Sequence, residues 1–392
     1  MTQRSRRRRA AGGAVVTVAL LALAAGCSND NGQNSLQPNG ESAQKIMNLF
    51  TPIFWIGVVI GIGVFAGLIT VLIRYRERTG NESPKQVHGS TALEIGWTIA
   101  PAVILAAIAV PTILLIFDLD ERPQGDDVLK VNVTGKQWWW QYEYPEQAQV
   151  SGQPVFTANE LHIPVDTEVD LALSACDEGF SEGECNVIHS FWVPELAGKE
   201  DVIPGRSNHL TISADRTGTF LGQCAEYCGL SHANMRLRVV VHEKAEFDAW
   251  IADQQTSGPE LSTVEVNDEG EEETVTVGGP DDAPALITTT FGCTNCHSFT
   301  DSSTGGFGPN LAHLATRDWF AGATYELTRE NLINWVMDAP GMKPMESRAG
   351  CPDPEKKCVG MPSFSTDLPD GQAPMTEEQA ATIADFLLEE TR

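Results

Sequence analysis

The sequence predicts a two-helix transmembrane hairpin, then a small all-β sandwich, then a small all-α domain. Three observations carry this reading. Two apolar runs, Ile46 to Ile73 and Ile95 to Phe117, contain no charged residue. Between residues 127 and 242, segments that alternate or are rich in β-branched residues are separated by Gly and Pro turns. Beyond residue 284, segments of helical pattern surround the pentapeptide Cys293-Thr-Asn-Cys296-His297.

The N-terminus carries Arg4 and Arg6 to Arg9, then an apolar run from Ala14 to Ala25 ending in Ala-Ala-Gly-Cys27. This is a secretory signal layout over residues 1–26. A Cys after small residues also resembles a bacterial lipoprotein signal, cleaved before Cys27 with lipid on its sulfur. Ala24 stands where Leu is usual, so an ordinary signal peptide and an uncleaved anchor stay open. Residues 27–45 then form an exposed linker. A bilayer span needs about 20 residues, and both runs, 46–73 and 95–117, are long enough. The connection at 74–94 holds Arg74, Arg76, Arg78 and Lys85. The excess of cations places it in the cytoplasm. Everything after Asp118 then lies on the extracytoplasmic face of a bacterial cell membrane, held by a multi-pass anchor.

A chain of 392 residues has room for more than one domain. Its formal net charge of −27 excludes a nucleic-acid binder and suits a basic protein partner or simple solubility. Among its nine cysteines, Cys176 with Cys185 and Cys351 with Cys358 sit in short polar loops. An extracytoplasmic setting suits disulfides at both places, with free thiols as the alternative. Residues 251–283 read as a flexible acidic linker. Ala245 to Thr316 contains no Lys or Arg, and Gly258 to Pro284 is rich in Gly, Pro and Glu. Its low hydrophobicity argues against a packed core there.

In the sandwich region, 127–250, the segments 128–134, 168–173, 209–213 and 235–241 read as strands. They suggest a small antiparallel sandwich. Between the last two strands lies Cys224-Ala-Glu-Tyr-Cys228-Gly-Leu-Ser-His232-Ala-Asn-Met235, and upstream lies His189 in His-Ser-Phe-Trp-Val-Pro. Two thiolates, two imidazoles and a thioether are a soft donor set that selects copper in an oxidising compartment. Two Cys with three residues between them can bridge two copper ions. His189 and His232 then take one ion each, and Met235 and the Glu226 carbonyl fill the weak axial positions. A Cys224–Cys228 disulfide would leave His232 and Met235 at ligand spacing by accident. Structural zinc has other spacing and makes little use of Met.

These motifs resemble subunit II of the haem–copper cytochrome c oxidases, in the members that hold the dinuclear copper A (CuA) centre. Gly135-Lys-Gln-Trp138-Trp-Trp-Gln-Tyr-Glu-Tyr-Pro145, Ile203-Pro-Gly-Arg206 and Glu94-Ile-Gly-Trp97-Thr extend the likeness over about residues 45–250. The resemblance implies a cupredoxin fold for the sandwich. It implies that Trp138 is a surface aromatic where electrons arrive, with Trp139 and Trp140 fitting core packing at least as well. It implies that Glu226 also offers its carboxylate to a magnesium ion at the subunit boundary, and that Glu94 takes up protons. Glu94 reads equally as a solvated helix-start residue. His88, His162, His209, His242 and His313 match no ligand position in these motifs.

Residues 284–392 resemble a class I cytochrome c domain, which makes the whole similar to a caa3-type subunit II. Cys293 and Cys296 match the thiols that bind a haem covalently, and His297 matches its axial ligand. Ala285 to Phe291 suits a first helix, Gly308-Pro-Asn-Leu-Ala follows, and 330–337 and 376–389 are helical in pattern. Met361, in Met-Pro-Ser-Phe364, is the expected thioether ligand, with Met342 and Met345 as rivals. His with Met raises a haem potential. The resemblance implies electron transfer from a donor through haem to copper, then to a partner subunit that reduces dioxygen and pumps protons. The implied partners are oxidase subunits I and III, membrane lipid, and cytochrome c or a quinol–cytochrome c reductase. Three rivals remain: a copper-free quinol oxidase subunit, a nitrous- or nitric-oxide-reducing system, and a copper carrier. The complete ligand set and the cytochrome domain argue against the first, the two-span hairpin followed by copper and haem domains against the second, and a five-side-chain site poorly suited to metal release against the third.

Overall fold

The computed structural model describes residues 32–76, 88–148, 152, 154–175, 187–266, 272–276, 278–279, 281–300, 308–345, 360–366 and 373–391. The signal segment, Cys27, Lys85 and the cysteines Cys176, Cys185, Cys351 and Cys358 lie outside the described residues.

Helix α1 spans Glu41–Arg74 and α2 spans Thr91–Leu119. Both are long and apolar enough to cross a membrane. Each extends past its uncharged run, α1 through Glu41 and Lys45 at its start and Arg74 at its end, and α2 through Glu94 at its start and Asp118 at its end. Glu94 falls in the first turn of α2. Lys45 joins the two helices, binding Glu41 at 3.0 Å and Asp118 at 2.9 Å.

The segment before α1 is clasped onto the β domain. The Asn39 amide donates to the Glu195 carbonyl at 2.7 Å, and its Nδ2 to Glu195 Oε2 at 2.8 Å. Its carbonyl accepts from the Asp215 amide at 2.9 Å, and its Oδ1 from Arg216 Nε at 2.7 Å. At Gly40 a Cβ would collide with the Ser213 carbonyl, so only glycine lets the chain approach this closely.

Ten strands form the sandwich: β1 (Leu129–Lys136), β2 (Trp139–Ala148), β3 (Pro154–Ala158), β4 (Glu160–Pro164), β5 (Val169–Ser174), β6 (His189–Trp192), β7 (Lys199–Val202), β8 (Asn208–Ile212), β9 (Gly218–Cys224) and β10 (Arg236–His242). One sheet runs β3-β2-β1-β5-β8 and the other β4-β10-β9-β6-β7. The expected antiparallel arrangement is corrected in one respect: β1 with β5 and β4 with β10 are parallel pairs. The cause is a change of sheet between β3 and β4, around Asn159 at a φ of 66°. β3 stays beside β2, whereas β4 enters the other sheet and pairs with the distant β10. Alternate residues of β5 and β10 point inward, placing Val169, Leu171, Leu173, Leu237, Val239 and Val241 in the core between the sheets. This is the period of two that the sequence shows.

Helix α3 (Lys244–Gln254) follows, capped by reciprocal bonds between Glu243 and Glu246. It closes one end of the sandwich. The His162 ring lies between Trp250, centroid distance 4.1 Å, and His242, with Nδ1 2.8 Å from His242 Nε2. The acidic linker contains structure. Strands β11 (Ser262–Val266) and β12 (Glu272–Thr276) pair as an antiparallel ribbon. Alternating Thr and Val in Ser-Thr-Val-Glu-Val and Glu-Glu-Thr-Val-Thr favour pairing where bulk composition suggests a tether.

The C-terminal region has a core of its own, including Leu286, Ile287, Leu332, Val336, Ile383 and Leu387. The expected first helix is reduced to a turn at Ala283–Ala285 and a π turn at Leu286–Thr290. Gly292, left-handed at a φ of 62°, ends it. Helix α4 (Arg329–Met342) kinks at Asp338, ahead of Pro340. Helix α5 (Glu377–Glu390) starts at a Thr376–Gln379 capping box. Arg329 joins α4 to α5 through both carboxylate oxygens of Asp385, at 2.6 and 2.8 Å.

Burial and the neighbouring His242 hold the His162 imidazole well below its ordinary pKa, so it folds neutral. An unfolded His takes a proton below about pH 6.5, and stability from this ring is lost as pH falls through that value. His162→Phe removes a hydrogen bond worth about 1 kcal/mol and also removes the acid liability. The stability gap between parent and variant, measured by thermal melts, narrows as pH falls from 8 to 5.

Candidate metal centre and the adjoining cavity

The loop between β9 and β10 is folded back on itself before any ion is considered. The Cys224 amide donates to the Met235 carbonyl at 2.9 Å, and the Ala225 amide to the Ser190 carbonyl at 2.9 Å. The loop therefore closes beside β6, which carries His189. Donor atoms of His189, Cys224 and Cys228 all lie within 4.8 Å of one another. Cys224 Sγ is 3.8 Å from Cys228 Sγ, 3.9 Å from His189 Nδ1 and 3.2 Å from the Glu226 carbonyl. Cys228 Sγ is 3.7 Å from His232 Nδ1 and 3.8 Å from Met235 Sδ. All six expected donors are thus brought together. His189, Cys224, Cys228 and Met235 are buried, and His232 is half-buried.

The two thiols perturb one another. The contact with Cys228, and then that with His189, draws Cys224 far below the ordinary thiol range, while the contact with Cys224, and then burial, pushes Cys228 up. Two sulfurs sit at the centre, with one imidazole near each, a thioether on one side and a carbonyl on the other. That set fits soft ions bridged by thiolate. A four-coordinate zinc would leave Met235 and the carbonyl without a purpose. The Glu226 carboxylate accepts from the Tyr227 amide at 3.1 Å, and Tyr227 and Leu230 are exposed on the loop rim.

Beneath the loop lie Gln137 and Trp138. Gln137 Nε2 and Trp138 Nε1 both donate to the Cys228 carbonyl, at 2.7 and 3.0 Å. Trp138 is only 6% exposed, so the expected surface aromatic is covered. Trp139 is buried too, and Trp140 is fully buried, 5.3 Å from Phe191 and 5.8 Å from the His189 ring. What covers Trp138 is the C-terminal region, with which it lines a cavity of about 370 Å³. Cys293, Cys296, His297, Met345 and Met361 line the same cavity.

His297 is oriented by its own neighbourhood. Its Nδ1 lies 2.8 Å from the Pro309 carbonyl, so Nδ1 donates and Nε2 is left as a ligand atom. Burial lowers its pKa, which keeps it neutral as a ligand must be. Gly308 is packed against this ring so closely that a Cβ would collide with it. Met361 packs on the C-terminal core, whereas Met345 packs on the sandwich core. Met345 Sδ accepts from the Met361 amide at 3.2 Å. Met342 does not line the cavity; its carbonyl accepts from Tyr325 Oη at 2.6 Å. A mostly apolar cavity with two thiols and an oriented imidazole fits a covalently held macrocycle.

Sequence reasoning missed several residues here. Lys343 is buried, donating from Nζ to the Trp138 carbonyl at 2.6 Å and the Ala321 carbonyl at 3.0 Å. Burial lowers its pKa to about 7. Arg317 is also buried on the cavity wall, where burial lowers its pKa to about 10. Both looked like ordinary loop cations, and no local signal marks them. Gly135 was visible only as part of the aromatic motif.

Two family profiles match the chain: "Cytochrome C oxidase subunit II, transmembrane domain" over residues 30–115 and "Cytochrome C oxidase subunit II, periplasmic domain" over 129–243. The chain is 36% identical to cytochrome c oxidase subunit 2 of Alkalihalophilus pseudofirmus over 85% of its length and 90% of that protein. It is 33% identical to the same subunit of Bacillus sp. strain PS3, over 84% of its length and 88% of that protein. With a quinol oxidase subunit 2 of Bacillus cereus it shares 31% identity, over 65% of its length and 83% of that protein. Fold and site define a membrane-anchored copper-domain protein of respiratory electron transport. The chain belongs to the cytochrome c oxidase subunit II family, and it serves as the electron-accepting subunit of a haem–copper oxidase complex. Family and donor set together imply copper at the loop.

A methyl group added at Gly135 would lie 2.9 Å from His189 Cδ2 and 3.0 Å from Cγ. Gly135→Ala therefore turns the imidazole away from the sulfurs. Copper affinity of the purified variant, measured by chelator competition, falls roughly 10- to 100-fold, as for other changes in what orients a ligand.

Proposed function

We propose that this chain is a caa3-type subunit II that passes electrons from a covalent haem c to a dinuclear CuA centre and on to subunit I. One observation carries the reading: the cavity bearing the haem motif and the copper loop share Trp138. This side chain is a wall of the cavity and donates to the carbonyl of a thiolate ligand. Electrons arriving at the cavity have a bonded route into the copper loop.

His189, Cys224, Cys228, His232, Met235 and the Glu226 carbonyl would hold two coppers. Cys293, Cys296 and His297 would hold the haem. Met361 would supply the thioether, because the Met345 sulfur already accepts a hydrogen bond and packs on the other domain. Both groups supply one-electron redox chemistry when bound. The protein's share is to keep donors fixed, exclude water and link the two sites. The hairpin would span the membrane twice with both domains outside, and Glu226 would face magnesium at the junction with subunit I. Subunit III, cytochrome c and a quinol–cytochrome c reductase are the further partners in this reading. Glu94 at the start of α2 would take up protons, and Cys27 would carry lipid.

The longer overlap with cytochrome c oxidase subunits than with the quinol oxidase subunit supports this reading over a copper-free scaffold. The full chain, purified from a host able to mature haem c, should hold two coppers per haem. Its EPR signal should be that of one unpaired electron delocalised over both coppers. His189→Ala should abolish that signal and leave the haem spectrum intact. One copper, zinc, or neither metal in a folded parent would favour the quinol-type scaffold or a carrier.

A further inference from the structure

Two side chains outside both cofactor sites grip the C-terminal region. Glu160 opens β4 and Arg238 lies opposite it on β10. Glu160 Oε1 accepts from the Trp319 amide at 2.8 Å, and Oε2 from the Asp318 amide at 3.1 Å. The Arg238 guanidinium lies 3.7 Å from the centroid of the Trp319 ring. One pair of neighbouring strands thus holds one dipeptide by its backbone and by its side chain.

The gripped dipeptide sits inside the cavity wall. Arg317 before it and Phe320, Ala321 and Gly322 after it all line the cavity. Gly322 is locked as well: its carbonyl accepts from the Arg236 amide at 3.0 Å, and its φ is 74°. There a Cβ would lie 2.7 Å from the Asn234 carbonyl and 3.0 Å from the Trp138 carbonyl. The wall is therefore registered on β10 and on Trp138 at the same time.

We propose that Glu160 and Arg238 are positioning residues that hold the C-terminal domain in register against Trp138, and so set the rate of electron transfer between the two cofactor sites. The rate consequence rests on the haem-and-copper reading above; the grip itself rests on geometry alone. Glu160 is 1% exposed, and a water-excluded carboxylate receiving two amides is a strong acceptor. A cation stacked on indole adds attraction that is larger where water is excluded. Electron transfer falls steeply with separation, so a loosened wall slows it even with both cofactors intact.

The test uses the full chain in the assembled oxidase at pH 8, where the carboxyl, raised by burial to about 7, is ionised. Glu160→Ala and Trp319→Leu are compared with the parent. Hydrogen exchange at the Asp318 and Trp319 amides should rise at least about tenfold in Glu160→Ala, as expected when a bond to a charged acceptor is lost. Flash-initiated haem-to-copper transfer should slow at least about tenfold in both variants, with the optical haem and EPR copper signals unchanged. Trp319→Phe, which keeps an aromatic face under Arg238, should retain the parent rate. Unchanged exchange and rate in Glu160→Ala would overturn the proposal. If that variant loses its copper signal through misfolding, Trp319→Leu decides from the other side of the contact. A parent lacking haem would sink the electron-transfer reading while leaving the exchange measurement to judge the grip.

Discussion

The Cys228 carbonyl accepts two side-chain hydrogen bonds, and that junction fixes both sites of this protein. Gln137 and Trp138 reach it from the turn between β1 and β2, so the loop is pinned to the opposite sheet from the one that bears it. The loop is closed at its ends by the Cys224–Met235 backbone bond. A soft-metal site gains speed in electron transfer when its donors barely move between oxidation states. Here Cys224 Sγ is 3.8 Å from Cys228 Sγ and 3.9 Å from His189 Nδ1, and Cys228 Sγ is 3.7 Å from His232 Nδ1, in a loop fixed by hydrogen bonds and burial.

The same indole that pins the loop also faces the haem motif. Docking the C-terminal region over it buries Lys343, which would be costly for an unsatisfied charge. Two carbonyls, from Trp138 and Ala321, compensate, one from each side of the seam. The ammonium thereby works as a polar rivet between the domains. It is selective for this alignment, because a displaced domain would leave a buried amine with one partner or none.

Much of this was legible in the sequence because the period of the side chains is local. Alternation in 168–173 and 235–241 gave β5 and β10, uncharged length gave α1 and α2, and the spacing of Cys224, Cys228, His232 and Met235 gave the loop. Strand pairing was not legible in the same way. Parallel contacts between β1 and β5 join residues about 40 apart, and no local pattern records them. The β11–β12 ribbon was hidden because composition was averaged over a window wider than each strand. Coverage of Trp138 was hidden for a further reason. Burial there comes from residues such as Gly322 and Lys343, some 200 positions away, whose own sequence context carries no sign of this contact.

The clasp at Asn39 and Gly40 ties α1 directly to the sandwich that carries the copper loop. Helix α1, at 1.5 Å per residue, is about 50 Å long, against a hydrocarbon layer of about 30 Å, so it must lean or protrude. Its upper end is bonded to the residues around Glu195 and Asp215 with no spacer of free chain. A short bonded joint transmits orientation where a free linker would not, so the lean of α1 bears on the direction in which the exposed loop rim, Tyr227 and Leu230, faces.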